Sequence, residues 1–401
     1  MKQKKLMLLG GLRYLIPVIE AAHKEGYYVI TCDYLPNNIA HKYSDEYCNI
    51  SIIDKDAVLE KARELGIDGI MSFAVDPGVV TAAYVAENLN LPFAGSYDSV
   101  RILQNKDLFR KFLADNGFNT PKSFGYNNYL DVQKDISLFE FPVIVKPTDS
   151  AGSKGVTRVD SLSQLEQAFR HAIDNSISGT VIIEEFIEKD GCSSDSDCFS
   201  IDGELRVVTY SAQRFDNNAA NPYTPSAYSW PSTFTKEQER YLTEELQRLI
   251  TLLNLKTSIY NIETRVGING KPYIMEVSPR GGGNRLAEMV RFGSGVDMIT
   301  ASVRAAVGDY TDNLEALPFD GYWAEVILHS DMDGEFEKIE ISKDYKDNVY
   351  QEDLWIKEGD SVHAFRGAND AIGTLVMRFT TECDLEDAID NIPNWLKVKV
   401  K

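Results

Sequence analysis

Two glutamates are placed to face each other across a predicted β-hairpin. Glu263 and Glu276 lie on either side of Asn269-Gly270, and Asn-Gly is the strongest short-range signal for a two-residue turn because both residues tolerate positive φ. Carboxylates opposed in this way lie about 5 Å apart at Cβ and, at an effective dielectric of about 20, repel by about 3 kcal/mol. A hard cation such as Mg²⁺ would remove the conflict, whereas a solvated hairpin would let both side chains diverge into water.

The same turn determines which residues share a side of the ribbon. Asn261 is placed opposite Ser278, on the side that carries the glutamates. The other side has core character, and the turn places Ile262, Thr264 and Val266 opposite Val277, Met275 and Tyr273, respectively.

An arginine and a glycine run follow the second glutamate. Arg280 lies just downstream of Glu276, where a guanidinium would meet a transferring phosphate or a substrate carboxylate. The run Gly281-Gly282-Gly283 exposes backbone donors where an oxyanion could lie, although a glycine run can also form only a tight turn.

A second set of candidate residues surrounds Lys146. This lysine ends the apolar strand FPVIVKP, and a loop of small residues follows over 149–155. Small residues let backbone N–H groups approach phosphate oxygens, and lysines neutralise the phosphate charge. The candidates in the loop are Ser150, Ser153, Lys154 and Gly155. The Walker pattern GxxxxGK[ST] is absent, and a generic surface loop would have a similar composition.

Other positions could also contact a nucleotide. Lys106 lies on a predicted helix over 98–117, where it could bind phosphate or stay solvated. The apolar strand TVIIEEFI ends at Glu184-Glu185-Phe186-Ile187, a segment that could pair its backbone with an adenine edge or simply complete a core strand. Asp195 and Asp197 alternate onto one face of the next strand, where they could accept ribose hydroxyls or face water.

The elements that would position these residues begin with a βαβ alternation. The strands KLMLLG, YYVITCDY and GIMSF alternate with three amphipathic helices, which predicts a parallel, doubly wound sheet over 1–97. Its first turn, Gly10-Gly11, with Asp33 downstream invites a nicotinamide-dinucleotide interpretation. The GxGxxG pattern fails after its first glycine, so we favour a substrate cleft at this strand end.

The rest of the chain divides into two further units. Residues 98–310 contain a lobe at about 120–186, a helix with a capping box at Ser161 and Gln164, a long loop over 215–233 and the glutamate hairpin. Residues 311–401 contain several short strands and a closing helix. The predicted fold class is therefore α/β and α+β.

Composition narrows the functional classes. The chain has 401 residues, of which 43% are hydrophobic and 25% charged, as in a globular protein of two to three domains. No apolar run reaches the roughly 18 residues of a membrane span. The net charge of −20 disfavours nucleic acid or an anionic membrane as a main partner. The five cysteines include no CxxC pair, which favours reduced thiols and a cytoplasmic location.

Four segments, in this order, resemble the ATP-grasp superfamily, specifically its carboxylate–amine ligase branch, which includes relatives of biotin carboxylase and of the carbamoyl-phosphate synthase large subunit. The segments are NKDLFRKFLADNGFNTP, FPVIVKPTDSAGSKGV, VIIEEFI and NIETRVGINGKPYIMEVSPRGGG. The joint match covers most of the chain and is far more specific than any one motif. It implies a pre-ATP-grasp Rossmann-like domain over 1–97, a two-lobed nucleotide clamp over 98–310 and a C-terminal α+β subdomain over 311–401.

The resemblance also implies a role for each candidate residue. The ATP phosphates would contact Lys106 and Lys146, and the 149–155 loop, with Ser150, Ser153, Lys154 and Gly155, would be a mobile lid. The adenine hinge would consist of Glu184, Glu185, Phe186 and Ile187, and the ribose would meet Asp195 or Asp197. Mg²⁺, with Mn²⁺ as an alternative, would be held by Glu263, Glu276 and Ser278, and Arg280 would stabilise an acyl phosphate.

The sequence departs from the superfamily pattern at two of these places. Ser278 stands where the superfamily commonly has Asn, which makes it a weaker metal ligand, although some ligase relatives share the EVSPR form. Gly191-Cys192-Ser193 places a serine where the segment after the hinge usually offers Glu, which bears on ribose recognition by Asp195 or Asp197.

The resemblance implies an ATP- and Mg²⁺-dependent ligase that activates a carboxylate as an acyl phosphate and joins it to an amine, releasing ADP and phosphate. Its partners would be small-molecule carboxylate and amine substrates, with a homodimer as the assembly suggested by base rates for such enzymes. Two alternatives stay open: a bicarbonate- or formate-activating enzyme acting on a purine-type precursor, and a nucleotide-binding relative without turnover.

Overall fold

The computed structural model describes residues 3–150, 154–216, 218–221, 223–309 and 314–401. Within these residues, no helix combines the length and the apolar character needed to cross a bilayer. The elements group into sheets that pack against helices.

The N-terminal unit has the predicted parallel, doubly wound sheet. Its elements are β1 (Lys5–Leu9), α1 (Ile16–Lys24), β2 (Tyr28–Cys32), β3 (Glu46–Cys48), α2 (Lys55–Leu65), β4 (Gly69–Ser72) and α3 (Asp76–Leu89). The strand order is β3-β2-β1-β4, and every pair is parallel. The strands are almost fully buried because helices cover both faces, which explains their continuous apolar runs.

The next unit is an antiparallel sheet with helices on one side. Its elements are α4 (Tyr97–Gln104), α5 (Lys106–Asp115), β5 (Ser123–Tyr126), α6 (Tyr129–Lys134), β6 (Val143–Pro147), β7 (Thr157–Val159), α7 (Leu162–Asp174) and β8 (Val181–Glu185). The sheet order is β5-β8-β6-β7. Val143 and Val145 face the core beneath α7, so Ile144 and Lys146 point to the other face of this sheet. The capping box of α7 at Ser161 and Gln164 is confirmed.

A second antiparallel sheet carries the glutamate hairpin. This region contains β9 (Ser194–Ile201), β10 (Glu204–Val208), β11 (Ala212–Phe215), β12 (Pro225–Trp230), α8 (Lys236–Leu252), β13 (Ser258–Val266), β14 (Pro272–Ser278), α9 (Leu286–Ser294) and α10 (Met298–Ala306). The sheet order is β10-β9-β13-β14. The helix α8 packs its leucines, Leu242, Leu246 and Leu249, against this sheet.

The C-terminal residues complete the fold. Their elements are β15 (Tyr322–Leu328), β16 (Gly334–Ile341), α11 (Lys343–Lys346), β17 (Val349–Leu354), β18 (Ser361–Val362), β19 (Gly373–Phe379), α12 (Glu382–Asp390), α13 (Ile392–Trp395) and β20 (Leu396–Val400). Three of these strands join β11 and β12 in a five-stranded sheet of order β11-β12-β15-β19-β17. One sheet therefore contains strands from both sides of the boundary predicted at 310.

Two predicted elements differ from the structure. The helix predicted over 98–117 is broken at Asn105, whose extended backbone ends α4 and whose side chain accepts hydrogen bonds from Asp107 N and Leu108 N to cap α5. The loop predicted over 215–233 contains the strand β12, whose partners lie on β11 and on the distant β15. The Pro- and Ser-rich sequence of this loop carries no local strand signal. The segment becomes a strand because it pairs with β11 and β15 in the folded protein.

The hairpin places the two glutamates opposite each other, as predicted. Glu263 pairs with Glu276 and Asn261 pairs with Ser278. The turn itself is longer than predicted: Gly267 N–H donates to the carbonyl of Lys271. Gly270 has φ of 74°, as in three-residue hairpin loops that end in a left-handed glycine.

A β-bulge reconciles the longer turn with the glutamate pairing. The register shifts between Glu263 and Thr264, so that Met275 is the extra residue on β14. Thr264 therefore pairs with Ile274 and Val266 pairs with Pro272, so the predicted pairings of Thr264 with Met275 and of Val266 with Tyr273 are wrong. The bulge also turns the carbonyl of Met275 towards α5, where it accepts a hydrogen bond of 2.8 Å from Arg110.

Candidate functional site

The candidate site is built on one face of the sheet β10-β9-β13-β14. Because β9, β13 and β14 pair in register, side chains from the three strands line up in rows across the sheet. One row consists of Asp195, Glu263 and Glu276, and the next consists of Asp197, Asn261 and Ser278. The spacing in the sequence predicted the part of each row that lies on the hairpin. The pairing of β13 with β9 adds the two aspartates.

The row of Asp195, Glu263 and Glu276 has more acidic groups than basic groups beside it. Lys106 Nζ lies 3.5 Å from Glu276, and Arg265 lies 3.7 Å from Glu263. These distances allow only weak ion pairs, and both glutamates remain partly exposed. The row can therefore still accept a cation.

Asp195 and Asp197 are the buried part of the face. The amide of Asn261 donates to Asp195 at 2.7 Å and to Asp197 at 3.3 Å, and Gly282 N–H donates to Asp197 at 2.9 Å. Burial raises the pKa of Asp195 to about 7, and the carboxylate of Glu263 adds to this shift. Burial likewise raises the pKa of Asp197 to about 7, against the hydrogen bond from Gly282. The predicted ribose contacts of these aspartates stay a prediction.

This face has the chemistry of a divalent-cation site. Its ligands are hard oxygens, and Oδ2 of Asp197 is buried without a hydrogen-bond partner among the described residues. A cation held by Glu263 and Glu276 would relieve their mutual repulsion and lower the cost of ionising the aspartates behind them.

A compact group of three His, Cys, Asp or Glu ligands occurs elsewhere in the described part of the chain. Asp216, His329 and Asp331 offer ligand atoms within 4.8 Å of one another. Glu263 and Glu276 belong to no such group among these residues. A cation at the glutamates would therefore need further ligands from a bound substrate. Mg²⁺ is commonly bound in this way, by one or two carboxylates together with substrate phosphates.

Lys106 connects the acidic face to the sheet β5-β8-β6-β7. The break at Asn105 starts α5 at this lysine, and its backbone N–H donates to the carbonyl of Thr148. Its Nζ donates to the carbonyl of Ser150 at 3.2 Å while it lies 3.5 Å from Glu276. The predicted phosphate ligand thus stands between the two sheets.

Lys146, the other predicted phosphate ligand, is part of a buried ion-pair triad. Its Nζ lies 2.5 Å from Glu184, and the same carboxylate accepts a hydrogen bond of 2.9 Å from Arg110. Burial alone would raise the pKa of Glu184, but Arg110 and Lys146 outweigh it and hold the pKa at about 2. Burial lowers the pKa of Lys146, and Glu184 opposes this shift. The triad therefore keeps Glu184 ionised.

Comparison with known proteins identifies the family of this arrangement. Residues 139–288, which include Lys146, Glu184 and both glutamates, match the family described as ATP-grasp domain. The chain contains an ATP-grasp domain. The resemblance stated from the four sequence segments is thereby confirmed.

The relatives and the neighbouring structures are distant in sequence. The carbamoyl phosphate synthase large chain of Thermoanaerobacter sp. is 26% identical over 262 residues, which are 65% of this chain but 23% of that protein. Human carnosine synthase 1 is 24% identical over 342 residues, 77% of this chain and 40% of that protein. This chain thus spans only part of either relative. The crystal structure of L-amino acid ligase from Bacillus licheniformis covers 100% of both chains with a TM-score of 0.81 and 21% identity, so the whole chain has the ATP-grasp fold.

The hinge predicted in the ATP-grasp domain begins at a residue whose side chain is buried in the triad. The side chain of Glu184 positions Lys146, so the backbone of Glu184 is what would serve the predicted adenine contact. Glu185 is exposed, and its carboxylate accepts from Lys122 N. Arg158 lies 4.4 Å from the ring centre of Phe186, and the carbonyl of Ile187 accepts from Arg265. The adenine role of this segment stays a prediction.

The predicted lid loop of the ATP-grasp domain is anchored at its start. The carboxylate of Asp149 accepts hydrogen bonds from Ser176 Oγ, Ile177 N and Ser178 N. This anchor holds the chain up to Ser150 against the loop that precedes β8.

The later residues of the predicted lid loop are Ser153, Lys154 and Gly155. Ser153 lies outside the described residues, and Lys154 is exposed. Gly155 has φ of 74°, and a Cβ at this position would lie 2.8 Å from Pro147 and from Asn175. Backbone conformation and packing therefore require this glycine independently of any phosphate.

Arg280 is engaged by a residue of the N-terminal sheet unit. Its Nε and Nη2 donate to Asp76 at 2.9 Å each, and its Nη1 donates to the carbonyl of Gly281. Ser278 Oγ also donates to Asp76, and Gln104 donates to Ser278 at 2.8 Å. The predicted catalytic arginine and the third predicted metal ligand thus share one carboxylate, and neither is free of protein partners.

Gln104 was not predicted as a site residue, and the pairing of Asp76 with Arg280 was not predicted either. Asp76 opens α3 in the first unit, and Gln104 ends α4, so neither carries a local motif. Gln104 lies just before the break at Asn105, and a helix-cap signal at Asn105 was the available clue. The contact of Asp76 with Arg280 depends on how the first unit packs against the segment after β14, and residue spacing in the sequence does not predict such packing.

Proposed function

We propose that the chain is an ATP- and Mg²⁺-dependent ligase that joins a carboxylate to an amine. An oxygen of the substrate carboxylate attacks the γ-phosphorus of ATP, and the bond to ADP breaks to give an acyl phosphate. The amine nitrogen then attacks the acyl carbon, the bond to the phosphate oxygen breaks, and the amine loses a proton. The products are an amide, ADP and phosphate.

One observation carries the proposal: α5 joins a lysine-bearing sheet to an acid-bearing sheet. Lys106 reaches both the loop after β6 and Glu276 on β14. One turn further, Arg110 contacts both Glu184 on β8 and the carbonyl of Met275 on β14. A triphosphate between the sheets would therefore meet ammonium groups on one side and a metal-binding face on the other, which is the arrangement that phosphoryl transfer needs.

Each candidate residue has a role in this proposal. Glu263 and Glu276 would hold Mg²⁺, which would neutralise phosphate charge when bound, with Ser278 as an outer ligand and Mn²⁺ as an alternative ion. Lys106 and Lys146 would bind the phosphate oxygens, and the loop at 149–155 would cover them and exclude water. Catalysis would consist mainly of positioning and charge stabilisation.

Arg280 would act from a fixed position. Its bidentate ion pair with Asp76 leaves the guanidinium plane rigid, and the side chain is 9% exposed. A preorganised guanidinium of this kind stabilises developing negative charge without reorganising at the moment of reaction.

The names of the relatives support joining a carboxylate to an amine. Carnosine synthase and L-amino acid ligase are named for products or substrates with both groups, and this chain is similar to them over most of its length. We extend the proposal to small-molecule substrates, a cytoplasmic location and a homodimer. Light scattering of the purified protein would test the assembly.

The test is release of ADP and phosphate across a substrate panel. Pairs of amino acids, hydroxy acids with amino acids, formate and bicarbonate are each incubated with ATP and Mg²⁺. We expect ADP release that requires both a carboxylate and an amine, with an amide detected by mass spectrometry. Release that depends on bicarbonate or formate would favour the alternative activity on a purine-type precursor, and ATP binding without ADP on any pair would contradict ligation.

A further inference from the structure

Glu325 on β15 is a fully buried carboxyl group without a partner. Its relative exposure is 0%, and neither carboxylate oxygen has a hydrogen-bond partner among the described residues. Burial of an unpaired carboxylate costs several kcal/mol, so such a group is retained only where something compensates it. The mechanism proposed above does not use this residue.

The nearest protein cation is already engaged by other groups. Arg285 donates to both oxygens of Glu288, to Thr374 and to Gln351. Burial raises the pKa of Glu325 well above its ordinary value; Arg285 opposes this shift, whereas Glu288 and Asp195 add to it. Acidic groups therefore outnumber basic groups around Glu325.

A hydrogen-bonded chain that begins at the cross-strand neighbour of Glu325 leads to the acidic face of the candidate site. Glu325 pairs with Tyr228 across the β12–β15 ladder. Tyr228 Oη donates to Asp195 at 3.2 Å and accepts from Asn284 at 2.9 Å. Asp195 pairs with Glu263 on β13, so Glu325 lies one side chain beyond the row that would hold the metal and phosphates.

The chain reaches partly exposed aromatic residues at its other end. Tyr14 Oη donates to Asn284 at 3.2 Å, and the ring of Trp355 meets Tyr14 edge-on at 6.0 Å. Tyr14, Asn284 and Trp355 are all partly exposed. A methyl group added at Gly283 would meet only Cε2 of Tyr14, at 3.9 Å, so the glycine leaves open space beside this ring.

We propose that this segment, from Tyr14 and Gly283 inward to Tyr228 and Glu325, binds the amine substrate as its ammonium form. The inference rests on the proposed ligase function and names the residues that recognise its second substrate. The ammonium would meet the unpaired carboxylate of Glu325 and the faces of the tyrosine rings, which attract cations. The body of the amine would lie in the space beside Gly283, with its nitrogen next to the acidic face. Before the nitrogen attacks the acyl carbon, the ammonium would pass one proton to the carboxylate of Glu325 beside it.

An ammonium fits this position better than a metal ion or an anion. Glu325 belongs to no three-ligand group of His, Cys, Asp or Glu in the described residues, so a metal would lack protein ligands. An anion would face the acidic excess of Asp195, Glu288 and Glu325. A primary ammonium supplies three hydrogen-bond donors and one positive charge, which this set of acceptors lacks.

The test separates the two half-reactions with the most active carboxylate and amino acid pair from the substrate panel. Hydroxylamine, which is uncharged at neutral pH, traps the acyl phosphate as a hydroxamate and reports the first half-reaction without an ammonium substrate. Glu325→Gln removes the charge with little change in shape. We expect the KM for the amine to rise at least about tenfold, equivalent to about 1.4 kcal/mol, with hydroxamate formation within about twofold of the unaltered protein.

A second variant and a control keep the result interpretable. Gly283→Ala fills the space beside Tyr14, and we expect it to raise the amine KM. Glu335→Gln, at an exposed position on β16, should change neither quantity. Melting curves check folding, and Glu325→Gln should melt no lower than the unaltered protein because the substitution breaks no hydrogen bond among the described residues.

The possible failures differ from each other. An unchanged amine KM in both Glu325→Gln and Gly283→Ala, with hydroxamate still formed, overturns the amine site and leaves the ligase proposal standing. Absence of ATP-dependent hydroxamate and ADP from the unaltered protein overturns the ligase proposal and the amine site with it.

Discussion

The triad of Lys146, Glu184 and Arg110 and the acidic face around Glu276 handle charge in opposite ways. In the triad, one carboxylate receives hydrogen bonds from two cations, so the negative charge of Glu184 is fully compensated within the protein. On the acidic face, carboxylates stand side by side; Glu276 has a lysine at 3.5 Å and Glu263 has an arginine at 3.7 Å, both too far for close ion pairs. Paired charge holds a side chain in position, whereas unpaired charge of one sign marks where a ligand of the other sign belongs.

The contrast predicts that loss of a carboxylate has opposite effects on stability in the two regions. On the acidic face a carboxylate repels its neighbours, so its removal should cost activity but not stability. In the triad a carboxylate holds two buried cations, so its removal should cost stability as well.

The largest expected effect follows from Glu276→Ala. Because the variant loses a metal ligand, Mg²⁺-dependent ADP release should fall at least about a hundredfold. Because it also loses repulsion from Glu263, the melting temperature without Mg²⁺ should not fall. ADP assays and calorimetry with and without Mg²⁺ measure both effects, with exposed Glu237→Ala on α8 as the control. Activity like that of the unaltered protein would refute the metal assignment.

Glu184→Gln, unlike Glu276→Ala, should lower the stability of the fold. The substitution leaves Arg110 and Lys146 buried without a counter-charge, which should destabilise the fold by about 3–5 kcal/mol. Urea unfolding at neutral pH measures the loss. Asp115→Asn removes an exposed ion pair with Lys111 on α5 and should change stability by less than about 1 kcal/mol. If the two variants lose equal stability, the triad is not the structural support proposed here.

The triad also predicts a dependence of stability on acid. The pKa of Glu184 falls from an ordinary 4.5 to about 2 on folding, so its stabilising contribution is complete above about pH 4.5 and is lost as the pH falls towards 2. The difference in unfolding free energy between the unaltered protein and Glu184→Gln should therefore shrink over that pH range. Urea titrations at several pH values measure it, and a constant difference would contradict the pairing.

The comparison also shows how much could be predicted from the sequence. The acidic face was accessible because Asn269-Gly270 is a local signal, and the pairing of Glu263 with Glu276 followed even though a bulge at Met275 shifts the register nearer the turn. The triad could not be predicted from a local signal in this way. Glu184 ends an apolar strand, and only the packing of α5 against that strand shows that its carboxylate turns inward to Arg110.

The same limit explains the other omissions. The pair of Asp76 and Arg280 joins residues about 200 positions apart, and the strand β12 forms only because β11 and β15 lie beside it. Local propensity reports helices, turns and alternation, whereas contacts between domains depend on the assembled fold. The family resemblance predicted the fold and the set of candidate residues, but not which of them bind one another.

The smallest expected effect is at the junction of the two regions, in Asn105→Ala. Asn105 caps α5 and so sets where Lys106 begins to contact both sheets; loss of the cap should cost about 1 kcal/mol. Asn128 caps α6 through one hydrogen bond, away from either region, so Asn128→Ala is a matched control with a similar or smaller stability loss. We expect the KM for ATP to rise several-fold in Asn105→Ala only, because the cap also positions a phosphate-binding lysine. If both variants shift stability and neither shifts the KM for ATP, Lys106 does not depend on its cap, and the bridge formed by α5 is structural alone.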